Sequence, residues 1–231
     1  LSEAFDPGPR YGGQVRPPGQ DIRMDEIAAM ARERQPGLIM ADRTVGGVNE
    51  NFITPEQEIP DKPLGIPWES CITLGHKWKY VPGDVFKPAG QVVKMLAETV
   101  AKGGNLLLGL GPSPLGEIPS EAESRLREIG AWLKINGEAI YGARPVAPYQ
   151  EGNVRFTKKG GIIYAIVLPD AGGTPPDNIV ITSFRPAAGA AIELLGGRAA
   201  LESKPLAQGF EVRLPRELPG PHAWAIKFRA E

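Results

Sequence analysis

Apolar positions recur at two different spacings along this chain, and the spacing changes near Arg144–Pro148. Upstream, Met24, Ile27, Ala28 and Ala31 fall at i, i+3, i+4 and i+7, which is one face of a helix. Asp21 is placed to cap that helix, and Pro36 limits its end. The apolar run Gly37–Ala41 predicts a buried strand with Asp42 at its C-terminal end. Ser70–Leu74 and Leu106–Leu108 predict two more. Between these, Gln91–Lys102 carries Val93, Leu96, Ala97 and Val100 on one helical face and stops at Gly103–Gly104. Ser120 with Glu123 reads as a capping box for a long helix bearing Leu126, Ile129 and Leu133, ended by Asn136–Gly137. Strands alternating with helices predict a parallel sheet built of βα units. In such folds chemistry sits on the loops that follow the strands, where Asp42, Glu56 and Gly111 fall.

Downstream of Pro148 the pattern becomes one of short strands and turns. Asn153–Thr157 and Gly161–Leu168 flank Lys158–Lys159–Gly160 and predict a hairpin. Asn178–Ser183, Ala190–Leu195, Phe210–Leu214 and Ala223–Phe228 predict further strands, separated by turns such as Gly196–Gly197 and Pro219–Gly220–Pro221. The expectation is α/β plus all-β: a region of βα units over 1–145 and a small antiparallel β-sandwich over 146–231.

Composition narrows the partners. A formal net charge of −1, with both signs spread through 231 residues, points to no nucleic acid and no membrane surface. The single cysteine, Cys71, forbids an internal disulfide and fits a reducing compartment. No apolar run reaches transmembrane length, and Leu1–Asp21 is polar and Pro/Gly-rich. Cytoplasmic is therefore the expected location, with a removed leader as the alternative. The two histidines, His76 and His222, lack partners at metal-ligand spacing, so neither metal nor cofactor is expected.

The densest chemistry lies between Asp42 and Trp78. Glu56 and Glu69 stand in aromatic, Pro- and Gly-rich loops beside short apolar runs. A carboxyl group shielded among aromatic rings keeps its proton nearer neutral pH, and indole faces bind the apolar face of a pyranose. That combination suits cleavage of sugars; the competing reading is two surface glutamates. Trp68, Trp78 and His76 are candidate sugar contacts, with core packing the alternative for the two tryptophans. Cys71 reads as a small buried core residue. Gly103–Gly104–Asn105 precedes a strand instead of following one, so it is no phosphate loop. Gly109–Leu110–Gly111 lacks the remaining glycine, and both runs read as close-packing glycines.

A run of ordered motifs carries a resemblance over roughly 12–144. These are QPGLIMADR (35–43), TPEQ (54–57), PWESC (67–71), ITLGHKWKY (72–80), KGGNLLLGLGP (102–112), GEIP (116–119) and IGAWLKINGEAIYGAR (129–144). In them the chain resembles the C-terminal part of the catalytic domain of family 29 α-L-fucosidases. The resemblance implies a retaining hydrolase that releases terminal α-linked L-fucose from a fucosylated oligosaccharide or glycoconjugate, in a (β/α)8-like barrel followed by a β-sandwich. It implies Glu56 as general acid/base, with Glu69 the runner-up. It puts Tyr11 at the position of the family's aspartate nucleophile, a departure that leaves Asp6 in a shifted register, another carboxylate, or an inactive site as the choices. Arg43 and Tyr11 join Trp68, His76 and Trp78 as implied substrate contacts. With only three or four βα units, the barrel half is expected to be truncated and to bury its open edge in a homo-oligomer. The alternative function is a catalytically inactive carbohydrate-binding or remnant fragment.

Overall fold

The computed structural model describes residues 23–42, 48–170 and 173–231. Asp6, Tyr11, Asp21 and Arg43 lie outside the described residues. Helix α1 spans Met24–Arg34 and starts at Arg23, whose backbone is left-handed (φ 54°) and whose side chain makes no cap bond. Its period is as the sequence predicts, yet only Ala28 is buried, while Ile27 and Met30 stay exposed. The strand expected over Gly37–Ala41 is shorter and later: Gly37 turns at φ 83°, and β1 is Ala41–Asp42.

Strand β2 (Phe52–Ile53) pairs parallel with β1, with Ala41 opposite Phe52. Strands β3 (Glu69–Thr73) and β4 (Asn105–Gly109) also pair parallel, with Cys71 opposite Leu107. Single parallel bridges, Ile53 to Trp68 and Glu56 to Cys71, join the two pairs. The four strands thus run parallel in chain order, as successive βα units do. Helix α2 (Ala89–Ala101) connects β3 to β4, and α3 (Ser120–Asn136) follows β4. The capping box is not made: the cap position of α3 is Pro119, Ser120 already lies inside the helix, and no side chain caps it.

A short 3₁₀ turn, Gly137–Ala139, leads into the antiparallel part. Strands β5 (Arg144–Glu151), β6 (Val154–Lys159), β7 (Ile162–Val167), β8 (Asn178–Ile181), β9 (Glu193–Leu194), β10 (Ser203–Pro205), β11 (Phe210–Arg213) and β12 (Trp224–Arg229) form two sheets. One has the order β5-β6-β7-β12-β9 and the other β10-β11-β8.

Alternation along β7 and β12 shows how the layers stack. Ile163, Ala165, Val167, Ile226 and Phe228 point into one apolar cluster against Ile179, Ile181, Phe210 and Val212 of the smaller sheet. Tyr164, Ile166 and Ala225 point the other way, into a second cluster with Val92, Val93, Ala97, Ile129 and Trp132 of the helices. Leu106, Leu108 and Leu110 close that second cluster from the parallel strands. The result is four layers: parallel strands, α2 with α3, the five-stranded sheet, and the three-stranded sheet. The change of sequence style at Arg144–Pro148 therefore marks a change of architecture and not a break in packing. Trp132 donates its indole N–H to the Ala223 carbonyl (2.7 Å), and the Ala225 amide donates to the Asn136 side chain (3.1 Å), which ties α3 to β12. No described helix is long and apolar enough to cross a membrane.

Candidate active site

Strand order places Glu56 where the parallel strands release their loops. The Cys71 amide donates to the Pro55 carbonyl (2.9 Å), and the Gln57 amide donates to the Cys71 carbonyl (2.8 Å). Glu56 is thereby gripped from both sides by β3, and its half-buried side chain leaves from a fixed backbone. The Trp78 indole N–H donates to Glu56 Oε1 at 3.0 Å. Such a bond orients the carboxyl group.

Trp78 reaches Glu56 because β4 ends in glycine. A Cβ at Gly109 would lie 2.4 Å from the Trp78 ring, and one at Gly111 would lie 2.3 Å from the Tyr80 amide nitrogen. The glycines of GLGP are thus contact surfaces for the loop that follows β3, as their sequence context predicts. The loop closes on itself at its base: Leu74 N–H donates to the Gly109 carbonyl (2.8 Å) and Lys87 N–H to the Leu74 carbonyl (2.9 Å). Asp84 pins its interior. It accepts from His76 Nδ1 (2.7 Å), from the Val85 amide (2.9 Å) and from the His76 amide (3.1 Å). The bond from His76 holds the Asp84 carboxyl below its ordinary range against the opposing pull of burial. Asp84 was not a candidate from the sequence. The one signal for it was the turn Pro82–Gly83–Asp84 beside the basic-aromatic run.

The opposite end of β3 and β4 is sealed. Trp68 is 1% exposed, and its ring fills the place of a Cβ at Gly104 (2.4 Å). Trp68 is therefore core, with no face left for a sugar, whereas Trp78 is 42% exposed. Lys102, also buried, donates to the Pro60 carbonyl (2.7 Å) and to Glu98 (2.8 Å). Glu69 opens β3 opposite Asn105, so it starts at this sealed end and not beside the Trp78 loop. The structure brings Glu56, Trp78 and His76 to one end and sets Trp68 and Glu69 at the other. Cys71 is buried between them, as expected of a small core residue. Among the described residues, no group of three or more His, Cys, Asp or Glu side chains is gathered to hold a metal ion.

A half-buried carboxyl, oriented by an indole at the loop end of parallel strands, can exchange a proton with a sugar oxygen. The family model described as alpha-L-fucosidase matches residues 11–138. An alpha-L-fucosidase of Branchiostoma floridae is 34% identical over 180 residues, covering 70% of this chain and 38% of the relative. The tissue alpha-L-fucosidase of Homo sapiens is 33% identical over 184 residues, covering 72% and 38%. Among solved structures, alpha-L-fucosidase isoenzyme 1 from Paenibacillus thiaminolyticus superposes with a TM-score of 0.77 at 31% identity, over 89% of this chain and 53% of that one. The Thermotoga maritima alpha-fucosidase solved in complex with fucose gives 0.73 at 28% identity, over 89% and 48%. The chain spans 38% of the length of the first two relatives. With more than half of its residues matched by the family model and Glu56 of TPEQ set at the loop end of its parallel strands, this chain belongs to the α-L-fucosidase family.

Proposed function

We propose that the chain carries the acid/base half of a retaining α-L-fucoside hydrolase, with Glu56 protonating the departing oxygen and later deprotonating the attacking water. The observation that carries this reading is the 3.0 Å bond from Trp78 to Glu56 at the loop end of the parallel strands. Trp78 fixes the carboxyl group without adding a charge. The reaction needs a second carboxylate about 5–5.5 Å from the first, to form and release a covalent fucosyl intermediate. Asp6, near the position held by Tyr11, is the candidate this chain offers from its own sequence, and Tyr11 and Arg43 are proposed sugar contacts with it. Glu69, at the sealed end, serves better as support for β3. The substrate is a terminal α-linked fucose on an oligosaccharide or glycoconjugate.

In the same reading the four parallel strands are the later strands of a (β/α) barrel, and the two antiparallel sheets over 146–231 support them as a β-sandwich. Leu107 and Ile39 then belong to the barrel interior, which explains why both are exposed here (49% and 69%). A second copy of the chain is proposed to cover that face. Light scattering at micromolar concentration is expected to give a multiple of the 24.8 kDa chain mass, and a monomer mass would overturn the assembly.

Glu56→Gln tests the chemistry directly. Turnover of a fucoside with a poor leaving group is expected to fall by about 10²–10⁴-fold, and of one with a good aryl leaving group far less, since the latter needs little protonation. Equal losses on both substrates, or none, would remove Glu56 from the acid role.

A further inference from the structure

We propose that Asp84 is a positioning residue that fixes His76 with Nε2 turned outward, so that His76 and Trp78 form a binding platform for the sugar next to fucose. The proposal rests on Glu56 serving as the acid/base of a fucoside hydrolase. A general acid must reach the glycosidic oxygen, which is shared between fucose and the neighbouring sugar. The indole bonded to Glu56 therefore borders that oxygen, and exposed His76 stands just before Trp78 on the same loop.

The geometry of the pair supplies the rest. The Asp84 side chain is 6% exposed, whereas that of His76 is 67% exposed. An ionised carboxylate only accepts hydrogen bonds, so the proton on the shared 2.7 Å contact belongs to Nδ1. Nε2 is then the ring nitrogen left for a sugar hydroxyl, and which nitrogen serves is set by the buried acid. The space Asp84 occupies exists because residue 75 is glycine: a Cβ there would lie 2.1 Å from Asp84 Oδ2. With its ends bonded at Leu74, Gly109 and Lys87, the loop is shaped before substrate arrives, and little ordering is left to oppose binding. Trp78 adds the apolar face. It is 42% exposed, while Trp68, Trp132 and Trp224 are all below 5%.

The test compares an α-L-fucosyl-galactose disaccharide with an aryl α-L-fucoside, which has no second sugar. In His76→Ala and in Asp84→Asn, the disaccharide-to-aryl ratio of kcat/KM is expected to fall about fivefold, the range of one lost hydrogen bond. His76→Ala changes an exposed side chain and keeps the test clear of misfolding. In parallel, Glu56→Gln protein is titrated with the disaccharide and with free L-fucose while the imidazole signals are followed by NMR. The chain has two histidines, so assignment needs only one variant. The disaccharide is expected to move the His76 signals and free fucose to leave them. Equal losses on both substrates, an unchanged ratio, or a still His76 signal would each overturn the platform. If wild type turns over neither substrate, the hydrolase reading fails. The NMR titration then decides the platform alone: movement of His76 supports it and stillness overturns it.

Discussion

The two ends of the β3–β4 strand pair use one device, an indole laid on a glycine, to opposite effect. At the start of the strands Trp68 lies on Gly104 and is 1% exposed; at their close Trp78 lies on Gly109 and is 42% exposed. Around Trp68 the polar groups serve packing, as when Lys102 reaches the Pro60 carbonyl. Around Trp78 they face outward or aim at Glu56. The same contact thus builds a core where solvent is excluded from both sides of the ring, and a site where one side stays open. Residue type does not separate the two; position along the strand does, because parallel strands seal one end with helix connections and release their longer loops at the other.

One added methyl group at each glycine breaks this comparison apart. Gly109→Ala is expected to push Trp78 off Glu56 and lower turnover on the order of a hundredfold, the usual consequence of a misplacement near 1 Å. Its unfolding free energy should change by less than about 1 kcal/mol, because a half-exposed ring can swing away. Acrylamide quenching of tryptophan fluorescence would rise, since Trp78 supplies nearly all the quenchable signal. Gly104→Ala presses on a ring with nowhere to go. Chemical denaturation should show a loss of about 1–3 kcal/mol, with the kinetic constants of the folded fraction nearly kept. If both variants lost activity and stability in the same proportion, the two ends would not be functionally distinct.

The smallest expected effect lies far from both ends and tests how the two antiparallel sheets are joined. Glu151 of β5 accepts from the amide and hydroxyl of Thr182 (2.8 and 2.7 Å) and of Ser183 (3.2 and 2.7 Å), which follow β8 in the other sheet. Burial alone would raise its pKa, but the Ser183 and Thr182 donors outweigh it and hold the carboxyl below its usual 4.5. With a folded-state value below the unfolded one, the contribution is complete above that usual value and is withdrawn as pH falls through the folded-state value. Thermal unfolding of wild type should therefore decline more steeply below about pH 4.5 than that of Glu151→Gln. Matching slopes would show that the two sheets are not joined through this group.

Much of the architecture was legible in residue spacing. The helical period of Gln91–Lys102 became α2, and the apolar run of Gly161–Leu168 became β7, because the first pattern buries one face and the second both. The helix start at Ser120 was legible too, but its capping box was not made. Pro119 already takes the cap conformation, so the hydroxyl of Ser120 falls one position too late. The strand near Ile39 shortened because Gly37 turns there, and apolar content alone does not distinguish a turn from a strand.

The site divides the same way. The resemblance of TPEQ to the family motif singled out Glu56 from the sequence, whereas spacing alone left it level with Glu69. Local order also placed the composition break near Arg144 and the close-packing glycines after β4. Which tryptophan packs and which faces solvent, that Glu69 starts at the end away from Glu56, and that Asp84 holds His76 were settled by chain segments meeting across the parallel strands and the loop after β3. Burial and hydrogen bonding depend on what arrives from elsewhere in the chain, and one-dimensional spacing carries no record of it.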